Sequence, residues 1–341
     1  MRRSLLRLSI PFHRPFVTSQ GVVAARDLLL LRVEEDGLVG YGEAAPFEPY
    51  DGIPLERVSA ALAGEHAGNG DSPPQARAAE EMAMLDLAAR RAGRSIGEPG
   101  AEAIAVNRTL PAGPPEEVAA AALRGARAGY SCFKLKVGLP DDAERVAAVR
   151  QAIGPWPALR IDANGAWSVA DAVRCLSELA IHDIELVEQP CATLGELAEV
   201  RREVGGARGI PIAADESVAS PADVEAAARA EACDAVNVKL AASGGFSAAR
   251  ETVRAASARG LEPFLSSTFD GPWGIAAALQ LAASEDISLA CGLATLELFD
   301  AELADALARP AVGLLAVPEG PGLGVAVDEA ALAEVLVEEI E

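Results

Sequence analysis

From residue 104 onward the chain repeats one theme: a short apolar run, a turn, then an Ala-rich stretch with helical spacing. Eight runs recur about 26 residues apart: IAVNRTL from 104, CFKLKVG from 132, ALRIDAN from 158, IELVEQP from 184, IPIAADE from 210, AVNVKLA from 235, LEPFLSS from 261 and ISLACGL from 287, a spacing that suits βα units. The intervening stretches, such as DDAERVAAVRQAIG and SVADAVRCLSELA, place apolar residues near i, i+3, i+4 and i+7. Asp141, Ser168 and Ser220 stand where helix N-caps belong, and Pro221 suits a first helical position. Alternation of this kind builds parallel strands joined by crossover helices. Eight units favour a closed barrel over an open doubly wound sheet. No G-x-G-x-x-G follows the first run, which removes the simplest dinucleotide-binding alternative. The expected fold class is therefore α/β, a (β/α)8 barrel of the TIM type.

The first hundred residues follow a different pattern. VVAARDLLLLRVEE and LVGYGEA flank Asp36-Gly37, a strong hairpin signal, and a helical segment follows at 74–92. The expected organisation is an α+β capping domain over 1–100, the barrel over 101–310, and a segment over 311–341 that packs back on the capping domain. Half of the 341 residues are hydrophobic and only 4% aromatic, so the core must rest on Ala, Leu, Val and Ile. A net charge of −22 repels nucleic-acid phosphates. The five cysteines (132, 175, 191, 233 and 291) are scattered and form no CxxC pair, which argues against a zinc site or a disulfide framework. The basic start MRRSLLRLSIPFHRPF lacks a long apolar run, and no stretch reaches membrane-spanning length. A reduced, cytoplasmic protein without nucleic-acid or membrane partners is expected, and oligomeric state is left open.

Barrel active sites lie at the C-terminal ends of the strands, so polar residues ending these runs are the candidates. Lys134 and Lys136, two apart, share one face of a strand that is buried on both sides. The next runs end in Asp162 and Asn164, in Glu188, and in Asp215 and Glu216. Three successive strands thus deliver a carboxylate at one level. Such a trio is repulsive without a cation, and oxygen ligands without His or Cys select Mg2+ or Mn2+. The sixth run ends in Lys239, which should face Lys136 across the barrel. Two lysines flanking a metal suit proton transfer next to a carboxylate, with burial and neighbouring cations expected to draw a lysine pKa down toward the working pH. His13, His66 and His182 lie off the strand ends and read as structural or surface residues. Ser266, Ser267 and Thr268 close the seventh run, where they could hydrogen-bond a substrate or simply end the strand. Gly244-Gly245, after the sixth run, could offer backbone N–H groups to an anion.

These residues resemble the enolase superfamily in order, spacing and strand position: K-L-K (134–136), D-A-N (162–164), E-Q-P (188–190), D-E-S (215–217) and N-V-K (237–239). The resemblance covers nearly the whole chain, and the strand-six lysine points to the muconate lactonizing enzyme subgroup. It implies that Asp162, Glu188 and Asp215 bind the metal, that Lys136 and Lys239 form the acid/base pair, that Lys134 neutralises the substrate carboxylate, and that Asn164 and Glu216 support them. VEQPCATLGELAEVRR, SSTFDGPWGIAAALQLAA and ACGLATLELF further resemble the o-succinylbenzoate synthases. That family implies dehydration of 2-succinyl-6-hydroxy-2,4-cyclohexadiene-1-carboxylate on the way to menaquinone. N-succinylamino acid racemase, dipeptide epimerase and muconate cycloisomerase are the alternatives within the subgroup. The D-x-D usual near strand eight of the epimerases is absent, since Leu298 stands two residues before Asp300. A non-catalytic barrel is the alternative of another class. Val17–Gly21 resembles the mobile loop by which the subgroup's capping domain closes over the barrel.

Overall fold

The computed structural model describes residues 1–18, 21–64, 72–204, 209–301, 303 and 310–340. Ser19 and Gln20, at the centre of the expected closing loop, lie outside the described residues, as does His66. The chain opens with strands β1 (Arg2–Thr18), β2 (Gly21–Glu35) and β3 (Leu38–Ala44), then helices α1 (Glu48–Asp51), α2 (Leu55–Leu62) and α3 (Pro74–Ala92). The β2–β3 hairpin turns at Asp36 and Gly37, both at positive φ, as a two-residue turn of matching twist requires. The run of four leucines, 28–31, is split by the period of two. Leu29 and Leu31 face the core shared with α3, while Leu28 and Leu30 join the core shared with the barrel. A Cβ at Gly40 or Gly42 would come within 2.3 or 1.9 Å of carbonyls on α3, so these glycines allow the helix to lie directly on β3.

The second region holds β4 (Ala103–Ala105), β5 (Arg108–Leu110), α4 (Pro115–Arg127), β6 (Cys132–Lys136), α5 (Asp142–Ile153), β7 (Ala158–Asp162), α6 (Val169–Leu179), β8 (Ile184–Glu188) and α7 (Leu194–Glu203). It continues with β9 (Ile212–Ala214), α8 (Pro221–Arg229), β10 (Ala235–Val238), α9 (Leu240–Ser243), α10 (Phe246–Ala258), β11 (Glu262–Leu265) and α11 (Pro272–Ser284). Strands β5 to β11 form one parallel sheet in sequence order, curled so that its inner face is filled by side chains. Ser168 and Ser220 cap their helices as expected, each accepting from the N–H three residues on. Asp141 precedes α5 without a side-chain cap bond, and its φ is 63°.

The outer runs differ from expectation. The first is divided: β4 leaves the barrel to pair antiparallel with β12 (Leu314–Ala316), and only β5 joins the curled sheet. The eighth forms no extended strand. Cys291 bridges Val106 and Gly292 bridges Ser266, so two residues close the barrel between its edges. The Ala290 carbonyl, which could have lengthened that strand, instead accepts from the fully buried Arg160 at 2.6 Å. The chain ends in α12 (Glu329–Val335) and β13 (Leu336–Ile340), and β13 pairs antiparallel with β1 in the N-terminal sheet.

Candidate active site

Strand register assembles the site. Lys136 pairs with Asp162 across β6–β7, and Asp162 pairs with Glu188 across β7–β8. Asp215 follows β9 immediately, and its N–H is held by the Gln189 side chain at 2.9 Å, so the residue after Glu188 positions the third acid. Asp162, Glu188 and Asp215 are buried, with one ligand oxygen from each within 4.8 Å of the others. Lys134 Nζ donates to Glu188 at 2.5 Å and reaches Asp162 at 2.9 Å. Lys136 Nζ donates to Asp162 at 2.7 Å and to Asn164 at 2.8 Å. Asn164 also donates to Glu216 at 2.9 Å, at the exposed mouth. Lys239 donates to Asp215 from the far side.

The donor set fits a hard divalent ion. It consists of carboxylate oxygens alone, and Glu188 Oε1 is buried within the trio without a hydrogen-bond partner. Among the protein groups alone, the acids act back on two of the lysines. Burial draws Lys239 down, but Asp215 and Glu216 outweigh it and hold the ammonium above its ordinary value. Lys134 behaves alike, with burial opposed by Asp162, Glu188 and Asp215. Burial raises Glu188 despite Lys134, whereas Asp162, also buried, is drawn below the usual carboxylate range by Lys134 and Lys136.

Above the acids lies a small pocket of about 80 Å³ lined by the three lysines, Asp162, Asn164 and Asp215, with Ser266 and Ser267 on its wall. Ser267 bonds Thr295 at 2.8 Å, and Ser266 Oγ is buried without a partner. Gly244 lies outside this lining. It packs under Arg77 of α3, and the N–H of Ser247 at the adjacent helix start is met by the carboxylate of Glu81. The N–H groups of Gly244 and Gly245 both donate to the Leu240 carbonyl, at 3.1 and 3.0 Å, and so are not offered to an anion. His13 sits 2.8 Å from exposed Asp300, and His182 lies in a surface turn, both away from the pocket.

Several lining residues escaped the sequence reading. Tyr50, from α1, accepts from Lys239 at 2.8 Å and donates to Asp215 at 3.0 Å, with its ring 4.5 Å from the Lys239 nitrogen. Phe47 and Phe269 meet edge to face at 5.9 Å beside it. Asn237 donates to Glu188 at 3.1 Å, and its place two residues before Lys239 on β10 was the available signal. Tyr50 had none, since it stands in a short connection far from the barrel in sequence.

The chain is similar in sequence and fold to known proteins. The enolase C-terminal domain-like family matches residues 117–331. An o-succinylbenzoate synthase of Thermobifida fusca is 37% identical over 330 residues, covering 95% of this chain and 90% of that one. Muconate cycloisomerase 1 of Rhodococcus opacus is 32% identical over 349 residues, covering 93% of each. The crystal structure of N-succinyl Arg/Lys racemase from Bacillus cereus superposes with a TM-score of 0.92 at 25% identity, covering 99% of this chain and 98% of that one. With its barrel, its trio of acids and its strand-end lysines, this chain belongs to the enolase superfamily, within the muconate lactonizing enzyme subgroup.

Proposed function

We infer that the chain dehydrates 2-succinyl-6-hydroxy-2,4-cyclohexadiene-1-carboxylate to o-succinylbenzoate. The observation that carries this reading is the 37% identity to the Thermobifida synthase across 95% of the chain. Asp162, Glu188 and Asp215 are the ligands of Mg2+, with Mn2+ the alternative. When bound, the ion supplies a Lewis acid for charge developing on the substrate carboxylate. Lys136 takes the proton next to that carboxylate and returns it to the departing hydroxyl, so one proton and one hydroxyl leave as water. Lys134, held between Glu188 and Asp162, places a cation beside the carboxylate. Lys239 faces the substrate from the opposite side, as a stabilising cation. Asn164 orients Lys136 and Glu216, and Ser266 offers its unpartnered hydroxyl to the substrate. In this reading residues 1–100 cap a barrel over 101–310, residues 311–341 return to the cap, and the enzyme works in the cytoplasm.

Turnover is followed as loss of substrate ultraviolet absorbance with Mg2+, and Lys136→Ala is the control. A variant rate lower by about 10²–10⁴ supports the base assignment. No turnover by the intact, metal-loaded protein sinks the dehydration. The likeness to the N-succinyl Arg/Lys racemase favours N-succinylamino acid racemization as a second reading, since lysines on opposite faces suit a two-base reaction. Solvent-deuterium exchange into an N-succinylamino acid tests it. Dipeptide epimerization is disfavoured by the eighth loop: Glu297 is already held by Arg108 and Tyr130, and Asp300 is on the surface.

A further inference from the structure

Behind the aromatic wall of the pocket lies a second pair of acids that the proposed chemistry does not use. Glu43 on β3 and Asp270 in the loop after β11 are 3% and 5% exposed. Glu43 reaches across to the barrel: its two carboxyl oxygens accept from the N–H groups of Gly271 at 2.6 Å and Gly274 at 3.1 Å. Those groups open α11, a helix of 13 residues whose N-cap is Gly271 and has no side chain to do this. The capping acid therefore comes from 228 positions away. Gly274 forms the slot between the two acids, where a Cβ would meet Asp270 Cβ and Glu43 Oε1, each at 3.0 Å. Asp270 in turn accepts from the Thr268 N–H and hydroxyl, each at 3.2 Å.

Few charges face this pair. Arg26 approaches from β2, the N-terminus of α11 points at Glu43, and Asp27, Asp51 and Lys239 act from further out. The hydrogen bonds of Arg26 go to the carbonyls of Asp27, Ala45 and Thr268. Two full negative charges buried beside one guanidinium so engaged are costly. Burial and then the Asp270 charge push the Glu43 carboxyl up to about 8, and burial raises Asp270 as well.

Phe269 lies between the residues held by this cluster. It lines the pocket at a φ of 60°, packed against Phe47 and, at 5.5 Å, Phe12. A non-glycine side chain keeps such a conformation only where its surroundings impose it. We propose that Glu43 is a positioning residue: with Asp270 it carries a single negative charge in the binding-competent enzyme, clamping β3 to the loop that presents Phe269 to the substrate. Ionisation of the second acid loosens the clamp and opens the wall. The inference rests on reading this pocket as the substrate site.

Trp273, the second residue of α11, is buried and stacked on Tyr41 at 6.3 Å, so its emission reports on this junction without substrate or metal. In a Trp156→Phe/Trp167→Phe background it is titrated between about pH 6 and pH 9.5. A transition near pH 8 is expected, and it should be absent after Glu43→Gln. In parallel, KM should rise about tenfold between pH 7 and pH 9 as the competent fraction falls, and Glu43→Gln should flatten that rise. Asp270→Asn, which also removes one of the two charges, should do the same and carries the test if Glu43→Gln does not fold. A transition that survives in both variants overturns the proposal, as does a flat Trp273 signal in the unsubstituted site. A transition present in a protein without turnover supports the clamp and removes only the substrate reading.

Discussion

Replacing Glu188 with Gln separates metal binding from folding. The fully buried carboxylate directs Oε2 to Lys134 and Asn237 and leaves Oε1 without a partner inside the acid trio. Gln keeps the shape and removes one of three charges. Lys134 keeps its contact with Asp162 at 2.9 Å, and the cost of burying the Glu188 charge is removed. The metal-free variant should therefore melt within about 2 °C of the parent or above it, because burial holds the Glu188 carboxyl above its usual range and Gln imitates the uncharged form. The effect of metal should be opposite. An ion at about a hundred times its Kd stabilises the native state by about 2.7 kcal/mol. With an unfolding entropy of about 0.7 kcal/mol/K for a chain of this length, that raises Tm by about 4 °C. Differential scanning fluorimetry with Mg2+ and with EDTA should show this rise in the parent and its loss in the variant. An equal rise in both would remove Glu188 from the metal site. A fall of many degrees in the metal-free variant would refute the charge argument.

Tyr50→Phe keeps the ring beneath Lys239 but removes the hydroxyl shared with Asp215. A lost bond worth about 1 kcal/mol should lower kcat five- to tenfold at saturating Mg2+, with the melting temperature little changed; an unaltered rate would refute a role for that hydroxyl. Gly42→Ala drives a Cβ to 1.9 Å from the Ala79 carbonyl and should cost about 3 kcal/mol in urea unfolding; a neutral result would refute the tight packing of α3 on β3. The raised Glu43 gives a pH test of stability. The native state keeps a proton that the unfolded chain releases above its ordinary value of 4.5, so this group's contribution falls as pH rises toward about 8. Glu43→Gln should therefore gain on the parent over that window, by at most about 1.4 kcal/mol per pH unit, and parallel stability curves would refute it.

The candidate row of lysines and acids was legible because barrel strands are buried on both faces. A lysine or carboxylate at a strand end there has no cheap structural reading, and a spacing of two assigns it to a face. The same logic would have found Asn237. What stayed hidden was whatever depends on contacts distant in sequence. Tyr50 reaches Lys239 and Glu43 reaches Gly271 only after the N-terminal sheet is laid on the barrel. Gly244-Gly245 read as an anion nest, but their N–H groups close the preceding turn on the Leu240 carbonyl, and Glu81 of α3 meets Ser247 instead. The eighth run is as apolar as its neighbours, yet it closes the barrel with two residues. Periodicity does not reveal that Arg160, five runs earlier, takes the Ala290 carbonyl.

The lysines also decide how far the fold depends on its metal. In a small zinc domain the ligands have no other partners, and removing the ion unfolds the chain. Here each acid of the trio already has an ammonium: Asp162 has Lys134 and Lys136, Glu188 has Lys134, and Asp215 has Lys239. Three cations balance three anions within the described site, and the strands that carry them are locked by ladder hydrogen bonds and a continuous apolar core. Chelation should therefore abolish turnover while far- and near-ultraviolet circular dichroism stay unchanged at 25 °C, with Tm lower by about the same 4 °C that the ion contributes. Cooperative loss of the near-ultraviolet signal in EDTA at that temperature would show that the lysines do not suffice, and that repulsion among Asp162, Glu188 and Asp215 controls the barrel mouth.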